Sequence, residues 1–292
     1  VTGTYLARLG SRIAATDTVL CVGVDPDISA LPDGFPQTLA GMEAFARLIV
    51  EASLPYAAAV KPNLAFFEAH GAAGLAVLQR LRAMVPDDVP FIADAKRGDI
   101  GSTAARQATG LFDVLGADAV TVSPYLGEEA VAPLLDRTDR FAYVLCRTSN
   151  PGAAEIQGLV VAEDPAAGYP AEPLWARVAR RAISWGPGDT VGLVVGATAP
   201  AELSAIRSIA PSLALLVPGV GAQGGEASPV LEHGPATAGA AGLAAGGALL
   251  VNVSRGIARA ALERVSTGGS RDPGERLATA AAVWAARLAV LT

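Results

Sequence analysis

The stretch FIADAKRGDIGSTA, residues 91–104, carries Asp94, Lys96 and Asp99 at the end of an apolar run, although only 17% of the chain is charged. Lys and Arg together number 22, and just two of these, Lys61 and Lys96, are lysines. An arginine bias can follow from the base composition of a genome, but that leaves the two lysines unexplained. Arginine stays protonated under ordinary conditions. Lysine can give up a proton and lose its charge when desolvated, so a site that transfers protons cannot exchange one for the other. Both lysines follow short apolar runs, in AAAVKPN and FIADAK. Carboxylates and lysines gathered at the ends of buried segments are suited to proton transfer and to stabilising charge that develops in a reaction.

Eight short runs rich in aliphatic or β-branched residues could position such groups: residues 19–25, 57–63, 90–96, 118–124, 141–148, 190–197, 214–221 and 248–255. Helix-like stretches such as GMEAFARLIVEASL, GLAVLQRLRAMV and AELSAIRSIA lie between them. Strand alternating with helix eight times implies a parallel sheet with helical crossovers, and eight units close into a (β/α)8 barrel of the TIM class. Each run stays apolar until its last residues, as a strand buried on both faces would. In such a barrel the chemistry belongs at the C-terminal strand ends. There the sequence puts Asp25, Lys61, Asn63, Asp94, Lys96, Ser123, Thr148, Ser149, Gln223 and Arg255.

A barrel needs about 250 residues, and residues 1–292 are expected to form one such domain, with no linker or repeat dividing them. The 25 residues of SNPGAAEIQGLVVAEDPAAGYPAEP, after the fifth strand, make the longest connection and a candidate lid. A net charge of −6 without a basic stripe argues against a nucleic-acid partner. Cys21 and Cys146 sit in apolar runs and read as buried thiols. Neither they nor His70 and His233 show paired metal-ligand spacing, so no metal site is expected. His70 and the three tryptophans read as structural. Residues 234–254 carry no charge, but are built mainly of Ala and Gly and read as a helix and a buried strand, so no membrane association is expected. VTGTYLARLGSRIAA lacks the apolar run of a signal peptide, which makes a cytoplasmic location the expectation.

GVGAQG, residues 219–224, fits G-x-G-x-x-G, but six strands precede it and the next strand ends in NVSR with no acid, against a dinucleotide fold. Glycine-exposed N–H groups after strand seven and a cation after strand eight suit a phosphate instead.

VGVDP, VKPN, DAKRGDIGST, RTSNPG, VPGVGAQGG and NVSRGI, in this order over residues 19–256, resemble the orotidine 5′-phosphate decarboxylase family, in particular its longer bacterial subgroup. DAKRGDI carries the specific D-x-K-x-x-D-I element. The resemblance implies a Lys-Asp-Lys-Asp array of Lys61, Asp94, Lys96 and Asp99, with Lys96 as proton donor. It implies ribose contacts by Asp25 and Thr103, a pyrimidine contact by Ser149, and phosphate contacts by Gln223 and Arg255. It further implies orotidine 5′-monophosphate as substrate, no metal or organic cofactor, and a homodimer with shared sites in which Asp99 and Thr103 serve the partner subunit. The alternatives are a Mg²⁺-dependent sugar-phosphate decarboxylase or isomerase of a related barrel group with a similar D-x-K-x-x-D element, a Schiff-base aldolase using Lys61 or Lys96, and a non-catalytic nucleotide-binding barrel.

Overall fold

In a computed structural model of the chain, residues 3–221, 223–262 and 272–290 are described. All eight expected strands form: β1 (Leu20–Val24), β2 (Ala59–Pro62), β3 (Ile92–Arg97), β4 (Ala119–Val122), β5 (Phe141–Arg147), β6 (Val191–Val195), β7 (Ala214–Pro218) and β8 (Leu249–Val253). They pair in parallel in the order β2-β1-β8-β7-β6-β5-β4-β3. Two parallel bridges, Val60 to Phe91 and Asn63 to Asp94, join β2 to β3 and complete a (β/α)8 barrel. Every residue of β1, β4 and β6 is buried, because the barrel interior covers one face and the helices cover the other.

The helices lie where periodicity places an apolar stripe. Leu39–Ser53 buries Met42, Phe45, Ala46, Ile49, Val50 and Ser53, and starts where the Thr38 hydroxyl accepts the Gly41 N–H at 3.2 Å. Burying each large apolar side chain of that stripe contributes roughly 1.5–3 kcal/mol. The crossover after β3 is a helix over Gly101–Ala108 that widens into a π turn over Thr109–Val114. Residues 234–254 contain a short helix, Gly239–Leu243, and then β8, and no helix among the described residues is long and apolar enough to cross a membrane.

At the N-terminal strand ends the helix Tyr5–Thr16 lies across the barrel mouth. Tyr5 stacks on Phe141 at 4.7 Å between centroids, and its hydroxyl is 3.1 Å from that of Tyr143. Gly192 on β6 makes room for these rings, since a Cβ there would sit 2.6 Å from the Ala214 carbonyl and 2.8 Å from the Phe141 ring. Beside them Asp118 is nearly buried. It accepts hydrogen bonds from Arg8 at 2.8 Å and from the Phe91 N–H at 2.9 Å, with Arg140 at 3.5 Å.

The long connection after β5 is ordered by its own small elements, which the sequence had not disclosed. It holds a helical turn, Ala153–Ile156, and an antiparallel ribbon pairing Val160–Val161 with Glu172–Pro173. The buried Glu172 carboxylate ties the ribbon to the following helix, Leu174–Ala182, accepting from Arg177 at 2.9 Å and from Arg180 at 2.7 Å.

Replacing Asp118 by Asn leaves the nearly buried Arg8 without its counter-charge. Asp118→Asn is expected to lower stability by about 3 kcal/mol, read as a fall in the urea midpoint with an unchanged slope.

Candidate active site

The C-terminal mouth opens on a cavity of about 470 Å³ lined by Asp25, Lys61, Asn63, Asp94, Lys96, Thr121, Ser149, Gln157, Gln223 and Asn252 among others. Both lysines of the chain meet there at one carboxylate. Lys61 Nζ donates to Asp94 Oδ2 at 2.6 Å, and Lys96 Nζ donates to Asp94 Oδ1 at 2.5 Å. The side chain of Lys61 is 5% exposed and that of Asp94 11%, whereas Lys96 at 49% reaches the open part of the cavity.

A break in the sheet produces this arrangement. The β3–β4 register shifts between Ala93 and Arg97, and Lys96 adopts a left-handed φ of 47°, rare and strained for a residue with a side chain. The amides displaced from the ladder find a side chain instead. Thr121 Oγ1 accepts from the Ala95 N–H at 3.0 Å and the Lys96 N–H at 2.9 Å, and donates to Asp94 Oδ1 at 2.9 Å. The hydroxyl therefore fixes the bulge and the carboxylate together.

Charge follows geometry. Burial by itself would raise the Asp94 pKa, but the ammonium groups of Lys61 and then Lys96, with their hydrogen bonds, outweigh it and hold the carboxyl well below the usual carboxylate range. For Lys61 burial pulls downward, and the charges of Asp94 and Asp25, with the hydrogen bond to Asp94, reverse this, leaving its pKa above the ordinary lysine value. Cys21, beneath them in β1, is pushed up to about 12 chiefly by burial, which makes its thiol a poor nucleophile at neutral pH.

Ser149 also lines the cavity, in close contact with Gly196 and Gly219. A Cβ on Gly196 would lie 2.8 Å from its backbone, and one on Gly219 would lie 3.3 Å from its Cβ. Sequence reasoning missed the brace for this segment. Gln157 Oε1 accepts from the Thr148 N–H at 2.8 Å and its Nε2 donates to Thr148 Oγ1 at 2.8 Å, so the root of the long loop is fastened to the strand end that carries Ser149. A smaller cavity of about 90 Å³ continues toward Gly219, Gln223, Ser254 and Arg255, with Asp25 and Asn252 in its wall. Gly219, Gly221 and Gly224 have φ of 103°, 77° and 89°, as the turn after β7 requires.

Asp99 and Thr103 are not brought to this cavity. The Asp99 carboxylate accepts the N–H of Ile100 at 2.8 Å, and Thr103 is exposed on the helix that follows. Among the described residues no group of three His, Cys, Asp or Glu side chains is placed to hold a metal ion.

The family model described as orotidine 5′-phosphate decarboxylase / HUMPS matches residues 18–268. The orotidine 5′-phosphate decarboxylase of Thermomicrobium roseum is 46% identical over 254 residues, 87% of this chain and 86% of that protein. That of Paracidovorax citrulli is 40% identical over 287 residues, covering 97% and 99%. Among solved structures, the OMP decarboxylase of Leishmania donovani superposes with a TM-score of 0.76 at 35% identity, over 97% of this chain and 99% of that one.

The coupling between Asp94 and the lysines sets a pH dependence for stability. Because the folded pKa of Asp94 lies below its unfolded value of about 3.9, its contribution is complete above that pH and is lost as pH falls through the folded value. Asp94→Asn is expected to cost about 3 kcal/mol at pH 7. The gap between parent and variant should narrow as urea unfolding is repeated below about pH 4.

Proposed function

Because the chain belongs to the orotidine 5′-phosphate decarboxylase / HUMPS family, we propose that it decarboxylates orotidine 5′-monophosphate to uridine 5′-monophosphate, a step of pyrimidine biosynthesis. The observation that carries this reading is the convergence of its only two lysines on Asp94 inside a cavity that also holds Ser149 and Gln223. The nucleotide lies with its base at Lys96 and Ser149, its ribose at Asp25, and its phosphate at Gln223 and Arg255. The phosphate end is supported by the glycine turn after β7 and by Arg255 in the wall of the smaller cavity.

Loss of carbon dioxide breaks the bond from C6 to the carboxylate and leaves the electron pair on C6, in the ring plane, where no ring carbonyl delocalises it well. The Lys96 ammonium stabilises that charge and then passes a proton to C6, and water reprotonates the amine. Asp94 faces the substrate carboxylate. Two like charges 4 Å apart repel by roughly 4 kcal/mol at an effective dielectric near 20, and departure of neutral carbon dioxide relieves that repulsion. Lys61 keeps Asp94 ionised. The chemistry calls on no metal or organic cofactor. Both oxygens of Asp94 already accept hydrogen bonds from Lys61, Lys96 and Thr121, an arrangement a magnesium ligand would have to give up.

The unit that works is a homodimer in which Asp99 and Thr103 of each subunit complete the other's site. Supporting this, both residues lie outside their own cavity, and the adjoining Ile100 is an exposed apolar side chain. Residues 1–292 act as one barrel domain, in the cytoplasm, without nucleic-acid or membrane partners.

Lys96→Ala should lower turnover of orotidine 5′-monophosphate, followed by ultraviolet absorbance with EDTA present, by roughly 10⁴-fold; activity in the parent only after Mg²⁺ is added would refute the metal-free reading. Sharing of sites has its own test. Lys96→Ala and Asp99→Ala, each inactive, should recover about a quarter of the parent activity when mixed under subunit exchange, since half the dimers are mixed and each restores one of its two sites. No recovery would sink the shared site.

A further inference from the structure

Asn252 is the fourth of the five residues of β8, near its C-terminal end, and we infer that it is a specificity-determining residue that reads the sugar of the nucleotide, an inference resting on the nucleotide reading above. Four residues line both the larger and the smaller cavity: Asp25, Pro218, Gln223 and Asn252. With base and phosphate at the two ends, the sugar must pass this junction. Two polar oxygens there, Asp25 Oδ1 and Asn252 Oδ1, are buried with no hydrogen-bond partner among the described residues.

The fold gives the Asn252 side chain its room. Asn252 pairs with Cys21 across the β1–β8 ladder, and Gly23 follows two residues further along β1. A Cβ on Gly23 would lie 3.2 Å from Asn252 Oδ1 and 2.6 Å from Ser254 Cβ, so the carboxamide occupies space that any other residue at position 23 would fill. An apolar side chain would suffice for packing at that depth. A carboxamide offers an acceptor and two donor hydrogens, and leaving its buried oxygen unpaired is unfavourable until a ligand donates to it. Aspartate and asparagine on neighbouring strands match the two hydroxyls of a ribose, each of which donates one hydrogen. A site built this way rejects an analogue that lacks the hydroxyl, because its own polar group then stays buried and unpaired.

The test is competitive inhibition by uridine 5′-monophosphate and by its 2′-deoxy and 3′-deoxy analogues, on the parent, Asn252→Ala and Asn252→Leu. The parent should favour the ribonucleotide over one of the two analogues by about tenfold or more. Either variant should weaken ribonucleotide binding by about tenfold and leave the inhibition constant of that analogue within about twofold of the parent's, so that the preference disappears. The retained affinity for the analogue also reports a folded protein, and the analogue identifies the hydroxyl. An equal loss for all three ligands, or no loss for any, would overturn the role of Asn252 while leaving the nucleotide site intact. Failure of the parent to bind uridine 5′-monophosphate would instead refute the nucleotide reading itself.

Discussion

A lysine ammonium that is almost fully buried must keep a counter-ion within reach, and at the mouth of this barrel that requirement organises what surrounds it. Lys61 is held by Asp94, and Asp94 is held by Lys96 and Thr121. Breaking a buried pair by removing one partner typically costs about 3–5 kcal/mol, so no member of the group can be altered in isolation. The distortion of β3 follows from the same demand. A regular strand would keep its amides in the ladder with β4, whereas here the Thr121 hydroxyl receives two of them and Lys96 takes up a left-handed backbone.

The group also sets the electrostatic character of the cavity. Two ammonium groups face the carboxylates of Asp94 and Asp25 across the cavity, shielded from water on the Lys61 side and open on the Lys96 side. Fixed charges in such an enclosed site act on a developing anion without first having to reorganise. The exposed ammonium of Lys96 is the part of this group that an anionic ligand in the cavity would meet first.

Much of this was legible in the sequence. All eight strands stood out because burial on both faces demands uninterrupted aliphatic runs, and Asp25, Lys61, Asp94, Lys96, Ser149 and Gln223 stood out because polar residues ending such runs need a reason. Other features left weaker traces. Thr121 lies inside DAVTVSP, where a threonine is an ordinary strand residue by propensity, and only its contacts reveal its part. Asn252 was written inside the run ALLVNVSR, but its position between two cavities is a property of the closed barrel. Gln157 acts across nine residues of loop, a distance with no periodicity to betray it. The two-residue strands of the ribbon are too short for alternation to show. Nor does the bulge at Lys96 carry the glycine that usually marks a positive φ.

At the opposite end of the barrel, Tyr5, Phe141, Tyr143 and the Arg8–Asp118 pair fill the N-terminal mouth. Among the described residues the barrel is therefore closed at that end, and the cavity opens at the other. Whatever enters past the loop that Gln157 and Glu172 tie down must leave by the same route, gas and nucleotide alike. The aromatic stopper at the far end from the chemistry thus leaves entry and exit to the mouth that carries the lysines.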